Sequence, residues 1–377
     1  MKITVAVHGR YHAFELARGL YERGHLDRLL TTYPAFAVRK VTGASLPVSS
    51  TPFLELRRRL HGRFGLGSNP DVIIAEKFAR FTARNLSPDA DLLIGWSSAT
   101  LEAIAPAQAR GTKVIIERGS THIGHQNKVL TAAYKEAGLT FGGIDQRMIA
   151  REVEEYECAD RVSVPSTHAA KTFIAEGISE QKLLVNSLGV DLSQFSAPAN
   201  RPENAKPKII FAGGVGVRKG VPQLLRAFEK LSANAGLHIF GRIEPGLEGQ
   251  LKGEGVIVHG PVPASTLATE YAKADIFCLP SVEEGFGLVV AQAMASGLPV
   301  VISDAVGAGD LVTSGVEGLI VPAMDEGALS EALAELVDDP DQRQAMGDAA
   351  RAKVANGCGW DDYVERAIIN YGRVLEG

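Results

Sequence analysis

The order of its apolar runs constrains this chain more than any other feature. Short apolar segments are followed by helical patterns, and the unit recurs along the sequence. Ile3–Val7 reads as a first strand. Ala13–Arg23 (AFELARGLYER) then reads as a helix closed by Gly24, a residue suited to a helix end. Asp91–Gly95, Lys113–Ile116 and Arg161–Pro165 read as further strands. Such alternation selects a doubly wound parallel sheet. Ser196–Pro207 (SAPANRPENAKP), rich in proline and polar residues, reads as a linker. The pattern then starts afresh, with strand Lys208–Ala212, a glycine loop Gly213–Gly220 and helix Val221–Ser232. Strands follow at Leu237–Phe240, Val256–His259, Ile276–Leu279, Val300–Ile302 and Gly318–Val321, and the tail from Asp325 is mostly helical. A chain of 377 residues exceeds one ordinary core and fits two domains of about 150–200 residues. The expectation is an α/β chain of two Rossmann-like domains facing across a cleft. The first covers residues 1–200 and is joined by the C-terminal helix at about 361–377; the second covers 205–360.

Composition narrows the function classes. Apolar residues make up 45% and charged residues 22%, as in a globular chain. A net charge of −5 speaks against a nucleic-acid partner. Cys158, Cys278 and Cys358 are too far apart for a disulfide framework or a zinc site, which fits a reducing cytoplasm. No His/Cys cluster has metal-ligand spacing, so no metal is expected. Asp89-Ala90-Asp91 imitates a D-x-D metal motif but precedes a strand instead of following one. The N-terminal MKITVAVHGR runs directly into a strand, without the longer apolar segment of a signal peptide. No apolar run reaches the roughly 18–20 residues of a membrane span. Any membrane contact is therefore expected to be peripheral.

Four segments carry polar groups where chemistry could occur. In Ser281–Val301 (SVEEGFGLVVAQAMASGLPVV) a strand runs through two acids and Gly285-Phe286-Gly287 into a helix starting near Leu288. Free N–H groups at a helix start suit a phosphate, and glycines let a ligand approach the backbone. Glu284 stands at the mouth and Gln292 two turns into the helix. Spacing alone fits an ordinary strand–turn–helix connection with solvated acids equally well. The glycine loop GGVGVRKG carries Gly214, Gly216, Arg218 and Lys219, and two cations at a helix start can neutralise a diphosphate. On the N-terminal side, His8-Gly9-Arg10-Tyr11-His12, Gly95-Trp96-Ser97 and Glu117-Arg118-Gly119-Ser120-Thr121-His122 each follow a strand at one cleft edge. Finally, Leu56–Phe64 (LRRRLHGRF) sets Leu56, Leu60 and Phe64 on a helical stripe flanked by Arg57, Arg58, Arg59 and Arg63. It reads either as a solvated helix or as a surface that docks on a membrane.

The stretch from Glu284 resembles the donor signature of family 4 retaining glycosyltransferases of the GT-B fold, E-G-F-G-x4-E-A-M-A-x-G-x-P-V. Glu284, Gly285, Phe286, Gly287, Ala293, Met294, Ala295, Gly297, Pro299 and Val300 match, as do the flanks YAKADIFCLPS and GLIVP. The resemblance covers most of residues 205–375 and is weaker before them. It implies retaining transfer of a sugar from a nucleotide diphosphate, UDP or GDP, with no tightly bound cofactor. The acceptor would be a hydroxyl of a glycan, a glycolipid or a small molecule, as in polysaccharide biosynthesis. It makes the second domain the donor site, with Gly214, Gly216, Gly285, Phe286, Gly287, Leu288 and Gln292 lining it. Glu284, Lys219, Arg218 and His122 become the candidates for catalysis. Arg10, Tyr11, His12, Trp96, Ser97, Arg118 and Ser120 fall on the acceptor side. Three departures stand out. The signature's second glutamate is Gln292, the common upstream arginine of the glycine loop is Gly214, and HGRYH replaces a Gly-Gly turn after the first strand. Gln292 and Gly214 leave open a catalytically weak glycan-binding or scaffold subunit; a nucleotide-sugar epimerase or phosphorylase of similar fold is a further alternative. An NAD dehydrogenase is disfavoured, because HGRYHAF lacks G-x-G-x-x-G.

Overall fold

A computed structural model describes residues 1–64, 70–199, 201–202 and 204–377, without the side chains of 62–64. The first half runs β1 (Ile3–Val7), α1 (Ala13–Glu22), β2 (Leu26–Thr31), α2 (Ala35–Thr42), β3 (Val48–Ser50), α3 (Pro52–Phe64), α4 (Asp71–Asn85), β4 (Leu92–Trp96) and α5 (Leu101–Gln108). It continues with β5 (Lys113–Glu117), α6 (Ile123–Glu136), α7 (Gln146–Cys158), β6 (Arg161–Val164), α8 (Thr167–Ala175) and β7 (Leu183–Val185). The second half runs β8 (Lys208–Ala212), α9 (Val221–Glu229), β9 (Gly236–Phe240), β10 (Val256–Gly260), α10 (Ala264–Ala272), β11 (Ile276–Leu279), α11 (Leu288–Ala295), β12 (Val300–Ser303) and β13 (Gly318–Val321). Helices α12 (Glu326–Asp338), α13 (Pro340–Val354) and α14 (Trp360–Glu376) close the chain.

Among the described residues the strands form two parallel sheets, of seven strands in the order β3-β2-β1-β4-β5-β6-β7 and six in the order β10-β9-β8-β11-β12-β13. Strands β1, β4, β11 and β12 are buried along their whole length. Continuous apolar runs of this kind suit a sheet covered on both faces by helices. Three strands escape the sequence reading. β2 carries Asp27 and Arg28 among its leucines, and β3 and β7 are three residues long. Helices α1 and α9 stop at Glu22 and Glu229, short of the expected Arg23 and Ser232, and β6 ends before Pro165. Asp89 and Asp91 lie in the connection before β4. Asp91 accepts the Lys2 N–H at 2.7 Å, and Asp89 pairs with the Lys2 ammonium at 3.3 Å.

The chain passes between the halves twice. The first passage joins β7 to β8; the second joins α13 to α14, which packs on α1. The missing side chain of Gly19 admits Val364, since a Cβ there would lie 2.5 Å from its methyl group. Arg23 pairs with Asp361 at 3.2 Å and Glu365 at 3.4 Å. The two passages touch: the Val190 N–H donates to the Cys358 carbonyl at 2.8 Å, and Val190 bridges to Gly359 in parallel. The halves also meet along α6, whose Leu130, Ala133 and Tyr134 pack on Val217 and Val282. Among the described residues, no helix is long and apolar enough to cross a membrane.

Candidate active site

On the second half, two glycine turns abut. Gly220 has φ +68°, and a Cβ there would lie 1.9 Å from the Pro280 carbonyl oxygen. Only glycine lets the 213–220 loop press against the end of β11. Gly287, at φ +92°, starts α11 without a side-chain cap, leaving the helix's first amides open. Across the turns, the Lys219 ammonium is in contact with the Glu284 carboxylate. Burial pushes that ammonium down to about 7, helped by Arg218 and opposed by Glu283. Glu284 is fixed by its backbone, whose N–H reaches the Ala305 carbonyl at 3.1 Å and whose carbonyl accepts from Gly307 at 3.0 Å.

The neighbouring acid points elsewhere. Glu283 is buried and accepts from Arg218 Nε at 2.7 Å, Thr121 Oγ1 at 2.5 Å, Gln126 Nε2 at 2.9 Å and Ser120 Oγ at 3.0 Å. Burial raises its pKa. The Arg218 charge and the donors on Thr121, Gln126 and Ser120 outweigh that and hold it at about 2.

A cavity of about 730 Å³ lies between the halves. Arg218, Glu284 and Leu288 line it from the second half. Arg10, Tyr11, His12, Trp96, Ser97, Arg118 and Ser120 line it from the first. Tyr11, at φ +39° and more than half exposed, arches over Gly9. Arg10 is exposed and 3.9 Å from Glu15. His12 is mostly buried; its Nε2 lies 3.0 Å from Glu117 Oε1, and its ring packs on Trp96 and edge-on to Tyr363 of α14. Trp96 is only 4% exposed, so it serves the core as well as the cavity. Arg118 is bound by Glu152 at 2.8 Å, Gln126 at 2.9 Å and the Thr121 carbonyl at 3.1 Å. It braces the wall.

His122, expected at the catalytic site, is placed away from the cavity. It caps α6, with Nδ1 accepting from Gly124 N–H at 3.2 Å, and its ring lies between Tyr156 and Phe173. Burial pushes its pKa down to about 4, with Glu176 opposing and Arg118 assisting. It does not line the cavity; Gly119, Ser120 and Gln126 of the same segment do. Sequence reasoning missed Gln126, Glu15, Glu152 and Trp360 as lining residues, and Glu283 as a link between the halves. His8, which also lines the cavity, stood in the cleft-edge segment HGRYH, and Glu283 stood beside Glu284.

A second cavity of about 800 Å³ shares Arg10, Glu15, Leu288 and Trp360 with the first. It reaches Gln292, Ala264 and the segment from Gly189 to Phe195. Of the expected glycines, Gly216 lies under the Glu244 carboxylate, where a Cβ would come within 2.2 Å of Oε2 and push that flexible side chain aside. Gly214 has no atom within 4 Å of such a Cβ, so a larger residue would fit. Gly285 lies against the first half, its virtual Cβ 2.3 Å from Ser120 Cα and 2.8 Å from the Gly119 carbonyl oxygen. Phe286 is buried in the core of the second half.

Two facing Rossmann-like sheets of this kind make the GT-B fold, and the chain is a glycosyltransferase of that fold. Its residues 206–339 match the family model described as glycosyl transferases group 1. A D-inositol 3-phosphate glycosyltransferase of Xylanimonas cellulosilytica is 27% identical over 97% of this chain and 91% of its own length. Among solved structures, sucrose-phosphate synthase of Thermosynechococcus elongatus superposes with a TM-score of 0.70 at 19% identity, over 100% of this chain and 99% of the other. Anabaena HepE, solved in complex with UDP, gives 0.72 at 14% identity, over 99% of this chain and 100% of the other.

Proposed function

We propose that this glycosyltransferase moves a sugar from a UDP- or GDP-sugar to an acceptor hydroxyl with retention at the anomeric carbon. The contact between Lys219 and Glu284 at the open start of α11 carries this reading. The bond from the anomeric carbon to the diphosphate breaks, and the acceptor oxygen bonds to that carbon on the same face. The acceptor proton passes to the departing phosphate oxygen, so no protein base is needed. Charge growing on the diphosphate is met by Lys219, Arg218 and the first amides of α11. Glu284 receives sugar hydroxyls and orients the ring. The cavity at Gln292 takes the nucleoside, and the cavity under Tyr11 takes sugar and acceptor. HepE's UDP complex and the inositol-phosphate relative are in keeping with a nucleotide donor and a hydroxyl acceptor. A thermal-shift screen of UDP-, GDP- and ADP-sugars identifies the donor, and NMR of the product reads the anomer. An inverted product overturns the proposal, as does a donor that binds but is turned over with no acceptor.

Gln292 weakens the grip on the nucleotide. Hydrogen bonds to a charged group contribute about 1.5–3 kcal/mol, against about 0.5–1.5 kcal/mol for neutral ones. Gln292→Glu should tighten nucleotide binding by up to about tenfold, read by calorimetry; unchanged or weaker binding removes position 292 from the site.

The acceptor side also offers a lipid-facing surface. Phe36, Leu56 and Arg59 line an apolar hollow of about 270 Å³ between α2 and α3, and Phe53 and Leu60 of α3 and Arg39 and Lys40 of α2 are exposed as well. Arg58 donates to the His8 carbonyl at 3.0 Å, tying α3 to the cleft rim. Arg63 and Phe64 of the expected stripe lie outside the described side chains. The surface fits an anionic bilayer presenting a lipid-borne acceptor. Wild type should sediment with phosphatidylglycerol vesicles, less so in high salt, and Phe53→Ser/Leu56→Ser should stay in the supernatant. Equal sedimentation with neutral vesicles argues against it.

A further inference from the structure

Glu283 is rooted in one half of the molecule and gripped by the other. Three of its four donors, on Ser120, Thr121 and Gln126, come from the segment between β5 and α6 and from α6 itself. The fourth, Arg218, shares its own loop with Lys219. Two pairs therefore stand side by side: Glu283 with Arg218, and Glu284 with Lys219. One peptide bond joins the members on each segment. Nothing in the proposed transfer chemistry uses Glu283, yet a buried carboxylate is costly unless donors surround it. Here most of those donors exist only while the halves are in contact. Arg218 adds a second tie across the halves, its Nη2 donating to Ser120 Oγ at 3.4 Å, while Gln126 is braced within the first half by Arg118, which donates to its Oε1 at 2.9 Å.

We infer that Glu283 is a positioning residue for the transfer reaction: gripped by Ser120, Thr121 and Gln126, it latches the two halves and sets the Lys219–Glu284 pair against the cavity. When the halves part, Glu283 keeps only Arg218, and the reactive pair loses its register with the first half. Each turnover then requires the latch to open for exchange of substrate and product and to close for chemistry.

Two variants test this. Glu283→Gln keeps the shape but turns an acceptor-only group into an amide whose NH₂ faces donors. Gln126→Glu retains the acceptor for Arg118 and sets a second carboxylate against Glu283. In small-angle scattering of the ligand-free chain, both should show a larger radius of gyration than wild type. With the UDP- or GDP-sugar that the wild type turns over, kcat should fall at least about tenfold. The donor KM should stay within about threefold in Glu283→Gln, because the freed Arg218 still meets the diphosphate. A purely structural role would instead lower Tm and leave kcat per folded molecule unchanged, and that result overturns the inference. So does an unchanged radius of gyration with kcat within about twofold of wild type in both variants. The inference rests on the proposed transfer only for its kinetic arm. If the wild type turns over no donor, that reading fails, and the scattering result still decides the latch.

Discussion

Alanine at position 219 is expected to lower kcat/KM for the donor by about 10³-fold while leaving the fold intact. Lys219 is largely buried and sits where the diphosphate charge would grow. Losing one group that stabilises a developing oxyanion typically costs about 10²–10³-fold. Here the loss is compounded, because Glu284 would remain in a confined site without its cation. The pH profile gives an independent reading. Burial and Arg218 depress the Lys219 ammonium to about 7, against the pull of Glu283. Its charge is therefore present at lower pH and lost as pH rises through that value. The Glu284 carboxylate in contact with it favours the charged form, so wild-type kcat/KM should fall on the alkaline side, above about pH 7, and Lys219→Ala should lack that limb. Steady-state rates across this range decide it. A variant of near-normal kcat/KM, or a flat wild-type profile, removes Lys219 from the diphosphate site.

Gly285→Ala should abolish most activity without unfolding either half. The new methyl group would meet Ser120 Cα at 2.3 Å and the Gly119 carbonyl oxygen at 2.8 Å. Both are backbone atoms, so no side-chain rotation relieves the clash, and the halves must separate. Misplacing reacting groups by about 1 Å can cost about 10²-fold, which is the loss in kcat/KM expected here. Gly214→Ala is the control, with no atom within 4 Å of the added carbon. Gly220→Ala makes the opposite contrast: its clash with Pro280 at 1.9 Å and its φ of +68° lie inside one half, so stability falls first. Calorimetric Tm with kcat/KM separates the three. Equal activity in Gly285→Ala and Gly214→Ala would mean that the close approach of the halves at this point is dispensable.

Much of the second half was legible because its signals are local. Strands β8, β11 and β13 fall on the expected residues, since each is a run of apolar side chains ended by a turn residue. β2 was hidden by Asp27 and Arg28, and β3 and β7 are too short to leave a period. In the site, Glu284 and Lys219 were found one at a time, and only folding shows that they touch. Glu284 reaches Lys219 while Glu283 crosses to the other half, a division invisible in the letters EE. Residue type alone points to His122 on this segment. Capping turned its ring toward Gly124 and the aromatic core, and the smaller Ser120 was left facing the cavity.

The two passages of chain between the halves, paired at Val190 and Gly359, have a mechanical consequence. The Val190 N–H to Cys358 carbonyl bond ties one crossing to the other, so neither can shift alone. Two covalent crossings tied in this way behave as one connection, and any relative movement of the halves loads both at once.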